Sequence, residues 1–227
     1  MIKLAKKAVR RGFRKLGYRL VRHPYILTGK RMSTHEPVVP IATYAPWNAD
    51  TDFLQTFKTI KENTLVDFYR CWELWTLVQQ TAKLSGAIIE IGVWRGGTGA
   101  LLAKQAAECG IKDPVYLCDT FCGVVKAGSN DTVYKGGEHA DTSRSIVENL
   151  LFQRMGLENV RLLEGVFPDE TAQLIEDDSQ MFRLCHIDVD VYDSARDVAN
   201  WVWDRMVIGG ILVFDDYGFR GTEGIVN

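Results

Sequence analysis

No run of about 18 consecutive apolar residues occurs in this chain, so no segment reads as a membrane span. No basic-then-apolar segment followed by a small-residue cleavage site is visible either, which points to the cytoplasm. Low-complexity sequence and internal repeats are absent. Cysteine is sparse and odd in number (Cys71, Cys109, Cys118, Cys122 and Cys185), which argues against a disulfide framework. Cys118 and Cys122 lack a second Cys/His pair at ligand spacing, which excludes a usual zinc site. Buried thiols in a reducing compartment are the expected state. Acid is missing from the first 31 positions, where eleven Lys and Arg fall. The remainder holds 16 basic and 29 acidic side chains, a net charge of −13. A basic arm on an acidic body points to an anionic partner for the arm alone, and nucleic acid is not the expected partner.

What is present is ordinary globular material. Apolar residues make up 46% and charged residues 25% of 227 positions, enough for one large domain with a substantial core. Ile2, Ala5, Val9, Phe13, Leu16 and Leu20 recur at steps of three and four, with basic residues on the other faces. That spacing predicts a basic amphipathic helix over residues 1–23, with residues 1–22 suited to an anionic lipid surface or to a solvated state. Pro24, Pro37, Pro40 and Pro46 mark 24–52 as a linker, and the folded domain is expected over 53–227.

From Gly86 onward, strand and helix patterns alternate. Strands are predicted at 87–92, 114–119, 159–164, 182–188 and 208–215, with helices near 98–109, 143–155, 169–177 and 193–205. Strands separated by helices form βαβ units, so the expected fold is α/β, a doubly wound, mostly parallel sheet in the order 3-2-1-4-5. Residues 120–142 interrupt the pattern at a length typical of an active-site lid or a disordered loop. His139 lies there, either facing an acceptor or solvated.

Glu90-Ile-Gly92-Val-Trp-Arg-Gly96-Gly97-Thr98 is a strand entering a glycine-rich turn and then a helix. Glycine allows close backbone approach, and a helix start offers free N–H groups. It is not a P-loop, since no Lys follows Gly97, and Trp94 breaks the dinucleotide pattern. Asp119 ends the next strand, where an acid accepts hydrogen bonds from a ribose diol. Glu164 and Gly165 end the third, where an adenine would lie. Tight strand–helix packing is the competing reading of this turn.

Two apolar strands stop on acid: Met181 to Asp188 and Asp190, and Ile208 to Asp215 and Asp216. Desolvated carboxylates are costly unless paired or metal-bound, so these endings suit either an oxygen-rich Mg²⁺ site or caps of the following helices. In the predicted strand order, the acids and the glycine turn share one crevice at the carboxyl ends of the strands.

The three motifs Glu90 to Thr98, His186-Ile-Asp-Val-Asp-Val-Tyr192 and Phe214-Asp-Asp-Tyr-Gly218 resemble the macrocin O-methyltransferase (TylF/MycF) family, over roughly Thr43 to the C-terminus. The resemblance implies a class I, Rossmann-like methyltransferase fold, S-adenosylmethionine and Mg²⁺ as cofactors, and methylation of a sugar hydroxyl on a small-molecule or glycan acceptor. It assigns Glu90, Gly92, Gly96, Gly97, Thr98 and Asp119 to the cofactor, beside Glu164 and Gly165 placed there by their position after the third strand; it assigns Asp188, Asp215 and Asp216 to the metal, and Asp190 to the general base. It also implies a further helix and two more strands beyond the fifth, so the expectation is a C-terminally truncated domain whose fifth strand has an exposed edge. A homo-oligomer remains open. So do two rival functions: a nicotinamide-dependent dehydrogenase using the same turn and Asp119, and an inactive methyltransferase-like binding module.

Overall fold

A computed structural model of the chain describes residues 9, 11–13, 15–18, 43–176 and 180–226. The chain divides into two units, Met1–Tyr44 and Ala45–Asn227. In the first, Val9, Arg11 to Phe13 and Lys15 are helical, and a turn follows at Leu16 and Gly17. Gly17 takes φ +81°, and the Tyr18 N–H returns to the Phe13 carbonyl at 2.9 Å. Among the described residues a left-handed glycine closes a helical turn after Lys15, and the expected end near His23 lies outside them. Residues 1–8 and 19–42, which carry the rest of the expected helix and most of the linker, lie outside the described residues.

The second unit begins at Ala45, and packing ties its first residues to the helices that follow. Trp47 meets Phe68, Tyr69 and Trp72 edge to face. Asp50 caps α1 (Thr51–Ile60) through the Phe53 N–H at 2.8 Å and accepts the Trp75 indole N–H at 3.1 Å. Asp67 likewise caps α2 (Phe68–Thr81), whose Trp75 and Val78 are buried.

Five strands follow: β1 (Ala87–Ile91), β2 (Val115–Asp119), β3 (Val160–Glu164), β4 (Phe182–Ile187) and β5 (Met206–Phe214). All pair in parallel in the order β3-β2-β1-β4-β5, as expected. β1 and β4 are buried throughout, as befits central parallel strands covered on both faces. One face carries Ile88, Leu117 and Leu184 against α1, α2 and α3 (Gly97–Glu108). The other carries Ile89, Ile91, Cys118 and Ile187 against α6 (Tyr192–Trp203). The helix expected over 143–155 is α4 (Arg144–Glu148) running into a π-helical stretch, Asn149–Arg154. The helix expected over 169–177 reduces to turns and one short helix, α5 (Gln173–Glu176).

Among the described residues, β5 has a sheet neighbour on one side only, β4, and Ile208 is 99% exposed. No helix of the described residues is long and apolar enough to cross a membrane.

Candidate active site

The strand ends fix where the acids stand. The Asp188 N–H bonds the Ile91 carbonyl at 2.9 Å and the Asp215 N–H bonds the Ile187 carbonyl at 3.0 Å, so the sheet ladder carries one residue past each strand. A cavity of about 250 Å³ opens there. Gly92, Thr98, Asp119 and Gly165 line one part of it, and Asp188, Asp190, Asp215 and Asp216 line another. The predicted crevice is therefore present.

Gly92 holds the two parts together. It sits at φ +87°, and a Cβ there would fall 1.7 Å from the Asp188 carbonyl oxygen. Only glycine fits both constraints. Asp119 serves the same turn: its carboxylate accepts the N–H groups of Val93 (2.6 Å), Trp94 (2.8 Å) and Phe121 (2.6 Å). Three backbone donors occupy it, so Asp119 shapes the turn as well as facing the cavity.

Four residues expected at the cofactor do not line the cavity. Gly96, at φ +84°, starts α3 against Val147, and the Gly97 N–H bonds the Asn63 carbonyl at 2.9 Å, so both glycines answer packing needs. Glu164 is exposed, with its carboxylate 3.5 Å from Arg144 Nη1. Glu90 lies wholly buried beneath the site, its Oε1 2.8 Å from His186 Nδ1.

Asp188, Asp215 and Asp216 each offer one carboxylate oxygen within 4.8 Å of the others. Burial raises the Asp188 pKa well above the usual carboxylate range, and the Asp215 charge adds to it. Asp216 is pushed up to about 7 by burial and by Asp190. Crowded hard donors that resist ionising together fit a divalent cation with oxygen ligands.

Asp190 does not join that trio. Its backbone is left-handed, φ +64°, and its N–H bonds Asp216 Oδ2 at 2.9 Å, which turns its carboxylate toward the loop over the cavity. Burial raises its pKa too, while Tyr134 and His139 hold it back. His139 Nε2 lies 3.9 Å from Asp190 Oδ2 and 3.2 Å from the Tyr134 hydroxyl.

The 120–142 loop that brings them there is pinned at several points. Asp131 accepts the Tyr192 N–H at 3.0 Å at the start of α6, Lys126 bridges Asp169 and Asp197, and Asp141 accepts the Trp94 indole N–H at 2.9 Å.

The sequence reading missed the cations under the acids. His186 lies between Glu90 and Asp215, with Nε2 3.5 Å from Asp215 Oδ1. Burial opposes its charge, but Asp215 and Glu90 outweigh burial and push its pKa up to about 10. Arg70 of α2 bonds Asp215 Oδ2 from the other side. A row of alternating charge results: Glu90, His186, Asp215, Arg70, Asp67. Pairing across β1, β4, β5 and α2 has no signature in local sequence, though the Asp67–Arg70 step is visible as an i,i+3 pair.

A family model described as macrocin-O-methyltransferase (TylF) matches residues 60–226. The 8-demethyl-8-(2,3-dimethoxy-alpha-L-rhamnosyl)-tetracenomycin-C 4'-O-methyltransferase of Streptomyces olivaceus is 30% identical over 151 residues, 63% of this chain and 57% of the relative. The mycinamicin III 3''-O-methyltransferase of Micromonospora griseorubida is 28% identical over 171 residues, 68% of this chain and 65% of the relative. The chain thus spans less than two thirds of the length of either. A structure of the O-methyltransferase NovP superposes with a TM-score of 0.61 at 22% identity, covering 72% of each chain, a likeness of fold. With a glycine turn and an acid trio meeting in one cavity of a β3-β2-β1-β4-β5 sheet, and a family model matched across that whole sheet, the chain belongs to the macrocin O-methyltransferase (TylF) family.

Proposed function

We propose that this chain serves the transfer of a methyl group from S-adenosylmethionine to a sugar hydroxyl of a glycoside or nucleotide sugar, assisted by Mg²⁺. One observation carries the reading: the glycine turn and the acid-bearing strand end touch, with Gly92 packed on the Asp188 carbonyl. A cofactor on the turn and a hydroxyl at the acids would then be neighbours. The names of the two relatives, each an O-methyltransferase and one of them naming a rhamnosyl group, support the acceptor class.

When bound, S-adenosylmethionine would supply an electrophilic methyl group and Mg²⁺ would acidify and orient the acceptor hydroxyl. The chain's own residues do the rest. Gly92 and Thr98 offer backbone approach and the start of α3 to the cofactor. Asp188, Asp215 and Asp216 would hold the cation. Asp190, turned toward Tyr134 and His139, takes the acceptor proton as general base. Orientation of two reactants contributes about 7–11 kcal/mol in favourable cases, so base and cation together need supply only part of the acceleration.

The test is transfer of a labelled methyl group to a panel of rhamnosides and related glycosides, with and without EDTA. Labelled glycoside that disappears with EDTA supports both halves of the reading. Full transfer in EDTA removes Mg²⁺ from it, and no transfer to any sugar removes the acceptor class.

A further inference from the structure

The metal reading leaves one residue unexplained. Arg70 stands on the first turn of α2 with its guanidinium on Asp215, one of the three carboxylates assigned to the cation. Its Nη1 donates to Asp215 Oδ2 and approaches the Asp215 carbonyl at 3.3 Å. Its Nε donates to Asp67 Oδ2 at 2.9 Å, and the Phe219 ring lies 5.4 Å from the guanidinium carbon. His186 faces the other oxygen, Oδ1. Both oxygens of Asp215 therefore face a basic side chain.

A guanidinium cannot lose its proton in a protein, so it cannot withdraw by titrating. A divalent ion bound through Asp215 Oδ2 would sit beside that fixed charge in a half-buried site, where like charges repel strongly. Each would weaken the other's hold on that oxygen. We infer that Arg70 is an internal competitor of the divalent cation, holding the Asp215 carboxylate until the ion displaces it. This rests on the proposed cation site.

The geometry supplies a place for the displaced group. Asp67 stays bonded to Nε while Nη1 swings off Asp215, so Arg70 keeps one anionic partner in either position. Its head lines the cavity, so displacement would turn free N–H donors toward the space for the acceptor. Arg70 would then couple cation loading to acceptor binding, with the ion entering first.

The experiment is a titration of the chain with Mn²⁺, following the free ion by electron paramagnetic resonance, with Mg²⁺ as competitor. Wild type, Arg70→Met and Arg70→Lys are compared, and circular dichroism and thermal melting report folding. Loss of a charge-assisted hydrogen bond that competes with the ion should tighten Mn²⁺ binding by roughly 10-fold or more in Arg70→Met. Arg70→Lys, which keeps the charge but loses the planar reach, should tighten it less. Unchanged binding in a folded Arg70→Met overturns the inference and leaves the cation site standing. Weaker binding also overturns it, since Arg70 would then be positioning Asp215 as a ligand. Should Arg70→Met not fold, Arg70→Lys is read on the same scale, and binding equal to or weaker than wild type overturns the inference. Absence of Mn²⁺ and Mg²⁺ binding in wild type and both variants overturns the cation site itself, and the inference with it.

Discussion

Nδ1 of His186 lies 2.8 Å from Oε1 of Glu90, and neither side chain has any exposed surface. The two residues are register partners on β4 and β1, directly under the acid trio. Removing one member of a buried ion pair leaves an uncompensated charge and typically costs about 3–5 kcal/mol. Glu90→Leu and His186→Leu should each cost that much in urea unfolding. The double variant should cost clearly less than the two losses added together. Single losses below about 1 kcal/mol would show that the pair is not charged as described.

Stability should fall as pH rises, and a divalent ion should counter the fall. Asp216 is raised from 3.8 to about 7 in the folded chain, so its favourable contribution is complete below about pH 4 and lost through pH 7. His186 is raised from 6.5 to about 10, so its contribution is lost between those values. Asp197, held low by Lys126, acts only below this window. The melting temperature in EDTA should therefore drop from pH 5 to pH 8.5. Added Mg²⁺ should raise it at pH 8.5 much more than at pH 5, because the ligands must be ionised to bind. A melting temperature that climbs with pH in EDTA would contradict the charge assignments.

Gly92→Ala puts a methyl group 1.7 Å from the Asp188 carbonyl and demands a left-handed alanine. Backbone at both strand ends must move, at a cost of about 2–4 kcal/mol. Titration calorimetry should show loss of S-adenosylhomocysteine binding in any folded fraction. Gly96→Ala also demands a left-handed alanine, at φ +84°, but meets the Val147 side chain at 2.9 Å in place of backbone, and should keep more of that binding. Equal binding by both variants would show that the turn does not hold the cofactor.

The sheet order was legible because strand and helix periods alternate cleanly from Ala87 to Phe214, and buried parallel strands read as apolar runs. The acids were legible because such runs do not normally end on carboxylate. Asp119 was found by its place after β2, yet its three backbone partners in the turn were not, since hydrogen-bond direction leaves no mark on spacing. Gly96 and Gly97 looked like ligand glycines because the pattern cannot separate a glycine facing a cavity from one facing Val147 or Asn63. Arg70 was invisible for a stronger reason. It reaches Asp215 from 145 positions away through a contact between helix and strand end.

Asp190→Asn separates base from ligand. A general base contributes typically about 10²–10⁴-fold, so methyl transfer should fall within that range while Mn²⁺ affinity stays near wild type. Asp188→Asn should instead weaken Mn²⁺ binding and recover part of its rate at high Mg²⁺. Near-normal turnover of Asp190→Asn would remove it as the base.

Calorimetric titration of the chain with S-adenosylhomocysteine and, separately, with NAD tests the cofactor assignment most directly. Gly92, Thr98, Asp119 and Gly165 all line one cavity, the space proposed for S-adenosylmethionine. Saturable one-to-one binding of S-adenosylhomocysteine, abolished by Gly92→Ala, and no binding of NAD are the expected results. Saturable NAD binding with none of S-adenosylhomocysteine would contradict the assignment.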